Sequence, residues 1–69
     1  MEVARGVVKA SDVGTGKHHD GYLRALDKAL DALDGQAHAG KELNVHFAVQ
    51  VSPNPGGITG YIVFLSTNG

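Results

Sequence analysis

The last third of the chain, Leu43 to Thr67, constrains the fold most. It reads as two strands joined by a tight turn, Ser52-Pro53-Asn54-Pro55-Gly56-Gly57. The first strand alternates throughout. Leu43, Val45, Phe47, Val49 and Val51 point to one side, and Asn44, His46, Ala48, Gln50 and Ser52 to the other. The second strand breaks that rule. Ile58, Ile62 and Phe64 fall on one side, while Tyr61, Val63 and Leu65 fall on the opposite side. A strand that is apolar on both faces needs cover on both, and one short helix covers only one. The expectation is a chain that does not work alone, in which neighbouring copies shelter Tyr61, Val63 and Leu65.

Size sharpens that expectation. The 69 residues make a single domain, 1–69. A domain this small buries only roughly 60% of the surface its unfolded chain exposes. Small domains make up the deficit with disulfides, a metal, tight packing or self-association. The chain has no cysteine, which excludes disulfides. Six basic and seven acidic residues give a net charge of -1. No basic patch stands out, so no nucleic-acid partner is expected. Met1-Glu2-Val3-Ala4-Arg5 has no long apolar run after it, so no secretory signal is read. No apolar segment approaches the ~20 residues of a membrane span, so no membrane partner is expected. The expectation is a soluble, cytoplasmic protein.

Upstream of the hairpin the chain reads as strand, loop and helix. Val3 to Ser11 is a strand with Val3, Arg5, Val7 and Lys9 on one face and Ala4, Gly6, Val8 and Ala10 on the other. The small face suits close approach by a helix; the Arg/Lys face suits an edge position. Asp12 to Lys17 is a loop broken by Gly14 and Gly16. The helix runs from about His19 to Asp34, with Leu23, Leu26, Leu30 and Leu33 on one stripe that Tyr22 and Ala29 widen. Ala25, Ala29 and Ala32 leave one flank thin. Asp20 is the expected N-cap, Gly21 a weak point within the helix, and Gly35 the left-handed residue that ends it. Gln36 to Glu42 is a polar connection. The fold class is α+β: a strand-helix-strand-strand subunit whose three-stranded sheet wraps one helix, in a closed homo-oligomer. The first two strands are long enough apart for a parallel pair with a right-handed helical crossover.

Catalytic chemistry has little to stand on, and no enzyme is expected. Ser11, Ser52 and Ser66 belong to no nucleophile motif, and Asp27, Asp31 and Asp34 read as a hydrated helix face. Gly14-Thr15-Gly16-Lys17 ahead of a helix invites an anion-binding reading, since free N–H groups and a Lys attract phosphate. A phosphate loop would need Gly where Ser11 stands and Ser or Thr where His18 stands. His18-His19-Asp20 resembles a metal cluster only on paper, because adjacent side chains point apart. His38 and His46 have no partner at zinc-helix spacing, so no metal is expected. Phe47, Tyr61, His46 and Gln50 could meet a flat ligand by stacking and by carboxamide hydrogen bonds. Phe47 shares its face with Val45 and Val49, which is a core pattern. His46 and Gln50 lie on the more polar face.

Two stretches taken together resemble the dodecin family of small flavin-binding proteins. The first is Val8-Lys9-Ala10-Ser11-Asp12-Val13-Gly14-Thr15 followed by the Ala/Leu helix Ala25 to Leu33. The second is Gly57-Ile58-Thr59-Gly60-Tyr61-Ile62-Val63-Phe64-Leu65, similar to the family's last strand. The resemblance covers about half the chain. It implies a sheet wrapped around the helix, a hollow homododecamer, and flavin (FMN, FAD or riboflavin) stacked between subunits and sequestered without turnover. The chain departs from the family at two points. It has no Trp on the second strand, where Phe47 or His46 stands instead. Ile62 occupies the position of the Gln that reads the flavin's polar edge.

Three functions follow. The first is a dodecin-like homo-oligomer that binds flavin or another flat aromatic ligand, with His46, Phe47, Gln50, Tyr61 and Ile62 as its contacts. The second is an oligomeric structural or interaction module without a ligand. The third is an anion or nucleotide binder using Gly14, Thr15, Gly16 and Lys17.

Overall fold

In a computed structural model of the chain, the described residues are 1–36, 42–53 and 56–67. They form β1 (Glu2–Lys9), a single 3-10 turn (Ala10–Asp12), α1 (His18–Leu33), β2 (Leu43–Pro53) and β3 (Gly56–Thr67). The described residues therefore make a small α+β fold with one α-helix and one three-stranded sheet. The sheet order is β1-β3-β2 and both pairings are antiparallel. The expected parallel pairing of the first two strands does not form. They point the same way, but β3 lies between them. The short connection after Pro53 returns β3 against β2, and its free edge then takes β1. The most apolar strand thus becomes the central one. Asn54 and Pro55, at the tip of the expected turn, and His38 lie outside the described residues.

The core lies between α1 and the inner face of β1 and β3. Ala4, Gly6 and Val8 of β1 sit opposite Leu65, Val63 and Tyr61 of β3. The expectation that these three β3 side chains are bare in a single copy is overturned: α1 covers them, and Tyr61 is 2%, Val63 0% and Leu65 1% exposed. Each such burial stabilises the fold by about 2 kcal/mol. The outer face of β3, with Ile62 and Phe64, is only half-buried.

The helix face on this core is Gly21, Ala25 and Ala29 rather than the expected leucine stripe. These residues repeat every four positions and form one row along α1. Leu26 and Leu33 pack at the margin of the core, and Leu23 and Leu30 stay exposed. A row of small residues lets the helix backbone approach the sheet, so the large side chains splay to the rims. The approach is close enough that a Cβ on Gly6 would meet the Ala25 carbonyl and the Ala29 amide. A Cβ on Gly21 would meet the ring of Tyr61. Gly21 is therefore a packing residue, not the weak point the sequence reading made it.

The helix begins at His18, so Asp20 is not its N-cap. Lys17 takes that position without a side-chain hydrogen bond, and Asp20 lies in the first turn. A carboxylate there still favours the helix by facing its positive end. At the other end Gly35 has φ +86°, the left-handed geometry expected of it. Gln36 Nε2 donates to the carbonyls of Ala32 and Val3, at 2.9 and 3.1 Å, and ties the helix end to β1.

Two bulges decide which way some side chains point. Gly60 and Ile58 pair with consecutive β2 residues, Gln50 and Val51, leaving Thr59 as the extra residue. The bulge turns Ile58 to the same side as Tyr61, the reverse of the sequence expectation. In β1, Val3 is skipped between Glu2 and Ala4. Glu2 therefore shares the outer face with Arg5, and Val3 packs toward the core instead. Among the described residues no helix is long and apolar enough to cross a membrane.

Glycine-to-alanine changes test the close approach. Gly6→Ala should cost about 3 kcal/mol, because only helix backbone can yield. Gly21→Ala should also lower the urea midpoint. In a helix face without tight contacts the same change would raise stability by about 1 kcal/mol, so the sign of the midpoint shift decides.

Candidate functional site

α1 lies mainly over β1 and β3 and meets the inner face of β2 at its rim, through Tyr22. Val45, Phe47, Val49 and Val51 are 46%, 57%, 36% and 60% exposed. Phe47, which the alternation read first as core, is thus among the most exposed apolar side chains. Its ring meets Tyr22 of α1 edge-on, with centroids 5.4 Å apart and planes at 86°. Together with His19, Leu23 and Leu26 these two rings line an open apolar groove of about 430 Å³ between α1 and β2.

A second cavity opens at the loop end of the sheet. It is a cleft of about 520 Å³ whose lining includes Ser11, Gly14, Thr15, Gly16, Ile58 and Tyr61. Ile58 reaches it because of the bulge at Thr59. His18 also lines it, and His18 Nδ1 lies 2.8 Å from the Tyr61 hydroxyl, a hydrogen bond whose direction follows the imidazole tautomer. Tyr61 therefore has its polar tip satisfied while its ring is buried. The groove and the cleft are joined by a run of ring contacts. Phe47 meets Tyr22, Tyr22 meets Tyr61 at 5.2 Å and 72°, and Tyr61 meets His18 at 6.0 Å.

The outer face of the sheet carries different chemistry. Arg5, Phe64 and His46 stand in one cross-strand row. The Arg5 guanidinium lies 5.5 Å from the Phe64 centroid. The His46 ring stacks on Phe64 at 4.5 Å with planes 10° apart, and His46 Nε2 is 2.8 Å from Ser66 Oγ. Arg5 Nη2 donates to Glu2 Oε1 at 2.7 Å and Arg5 Nε to Glu2 Oε2 at 3.2 Å, a forked pair. Hydrogen bonding from Arg5 holds the Glu2 carboxyl below its ordinary range. The pair is exposed, so its effect on stability is small. Gln50 lies across Gly60 on this face: its Oε1 would be 2.6 Å from a Cβ there. Ile62 stands on the same face, half-buried, beside Val7 and Ala48.

The five residues expected to contact a flat ligand are therefore divided. Phe47 and Tyr61 face α1, and His46, Gln50 and Ile62 face the other way. Within one chain, His19 rather than Gln50 is the polar group beside the exposed ring of Phe47. Of the alternative anion set, Gly14, Thr15 and Gly16 share the cleft with Tyr61. Lys17 is exposed alongside Gly14 and does not line it. Asp27, Asp31 and Asp34 are exposed, in line with a hydrated face. Among the described residues no group of three or more His, Asp or Glu gathers as metal ligands would.

Sequence reasoning missed His18 as the partner of Tyr61 and Tyr22 as the ring behind Phe47. The first pair is separated by 43 positions and has no local signal. Tyr22 was visible as part of the helix stripe, but not as a groove wall. No protein-family model, curated protein or solved structure matches the chain.

Tyr61→Phe isolates the polar contact in the cleft. It keeps the ring against Gly21 and removes only the hydroxyl, so thermal or urea denaturation should show a loss of about 1 kcal/mol. An unchanged midpoint would mean that water replaces His18 at no cost.

Proposed function

We propose that this chain is a non-enzymatic, dodecin-like binding protein. In this reading it assembles into a closed homo-oligomer, a dodecamer by the resemblance, and sequesters flavin or another flat aromatic ligand between subunits. The observation that carries the reading is the exposed inner face of β2, with Phe47 57% exposed and braced edge-on by Tyr22. A ring held edge-on from behind keeps its orientation and offers an open face for stacking. The groove around it is apolar, open and about 430 Å³ in volume, and a neighbouring copy would supply its missing wall. Stacking there would shield a ligand from water without moving a bond. His19 is the residue placed to meet a polar ring edge.

The division of the expected contacts between two faces favours the second reading, an assembly without a small ligand. Gln50 lies on Gly60 rather than at the groove. The two readings separate on one preparation. Native mass spectrometry should give a closed multiple of the 7.2 kDa chain, and flavin titration should quench flavin fluorescence. Phe47→Ala should then weaken flavin binding about tenfold or more, as loss of a stacked aromatic anchor does. An assembly that leaves flavin fluorescence unchanged belongs to the second reading; a monomer that leaves it unchanged overturns both.

A further inference from the structure

The two edges of the sheet are built differently. β1 carries Glu2, Arg5 and Lys9, is skipped at Val3 and has α1 over its inner face. These are the devices that keep an edge strand from pairing with another chain. β2 has none of them along most of its length. From Leu43 to Pro53 it contains no Asp, Glu, Lys or Arg, and Val45, Phe47, Val49 and Val51 on its inner face are exposed. The only interruptions are Pro53 at its end and the register shift between Gln50 and Val51. That leaves Val45 to Gln50 as an uncharged run whose outward N–H and C=O groups have no neighbouring strand among the described residues.

We infer that β2 pairs edge to edge with β2 of a second copy, antiparallel about a two-fold axis, over Val45 to Gln50. The inference rests on the homo-oligomer reading and specifies its contact. Four observations favour a second copy as the occupant. An antiparallel strand edge is complementary to itself, and an isologous contact needs no second kind of surface. The exposed faces of Val45, Phe47, Val49, Val51, Leu23 and Leu30 amount to on the order of 500 Å² of apolar surface. Edge pairing sets the Val45, Phe47 and Val49 flanks of the two copies side by side and covers part of that surface. The chain is also less compact than a self-sufficient domain. Its radius of gyration is 13.3 Å, against about 11 Å expected at this length. A net charge of -1 leaves little repulsion between copies.

In such a pair residues facing each other share a side of the sheet, so the exposed inner faces of the two β2 strands become continuous. Symmetry also requires that one residue face its own counterpart. The middle of the available run puts that residue at Phe47 or Ala48.

The native chain has no cysteine, so single-cysteine variants report this contact directly. His46→Cys, Phe47→Cys, Ala48→Cys and Val49→Cys would be oxidised mildly, with Arg5→Cys and Val7→Cys as controls on the other edge. Paired strands hold facing Cα atoms within the ~4.4–6.8 Å that a disulfide spans. Disulfide dimers should peak at position 47 or 48, fall away on either side and stay low on β1. Ala48→Lys and Ala48→Glu should each reduce assembly about tenfold or more by like-charge repulsion, and mixing the two should restore it. Restoration on mixing distinguishes repulsion from misfolding. If the wild-type chain assembles but the β2 cysteines cross-link no better than those on β1, and mixing restores nothing, the edge inference falls while the homo-oligomer reading stands. If the wild-type chain sediments as a monomer, both fall.

Discussion

The structure depends on how near α1 can come to the sheet. Gly21, Ala25 and Ala29 give the helix a face with almost no side-chain height, and Gly6 gives β1 a gap beneath it. The separation is set by backbone against backbone, which neither rotamer changes nor small shifts can relax. Dispersion attraction falls off steeply with a gap of even half an ångström, so a close fit between small residues holds as firmly as a bulkier core. It also fixes position laterally. The helix sits where the gap is, over β1 and β3, and cannot also cover β2.

That placement explains why the exposed surface takes the form it does. β2 is paired to β3 along its length, so it is held in the sheet by its backbone. Its alternating apolar residues meet the helix only at its rim. What would be a core layer under a wider helix becomes instead a groove wall with Phe47 in the open. Tyr22 is the one large ring that leans from the helix toward it. The rim of the close contact and the wall of the groove are thus the same residues.

The sequence made the elements legible and misjudged the sides. Alternation placed Ala4, Gly6 and Val8 on one face of β1 correctly, because period two admits no other choice in an unbroken strand. It failed at Ile58 and Val3, where a skipped residue reverses the parity, and nothing in the residue types marks the skip. The leucine stripe misled for a different reason. Large apolar residues usually lie deepest, but here depth went to the smallest ones. Tyr61, Val63 and Leu65 stand bare only if the helix serves Ile62 and Phe64 instead. Which face of β3 receives the helix follows from its register with β1, since the small side of β1 must share that face. Of the candidate contacts, His46 and Gln50 were correctly set on the face opposite Phe47. That separation then stands against one shared pocket.

Assembly and ligand binding, in the reading proposed, draw on one surface, and this couples them. A ligand stacked on Phe47 covers apolar area that a second copy would otherwise have to cover. A second copy that closes the groove raises the ligand's affinity by excluding water from it. If the closed groove holds the ligand more tightly than the open one, the ligand must stabilise the assembly by the same factor, by thermodynamic reciprocity. In that reading a chain with so small a core would gain folded margin the same way, since whatever binds only the folded form shifts the unfolding equilibrium. Folding, assembly and binding would then form one linked equilibrium. The exposed face of β2 would be the element through which all three act.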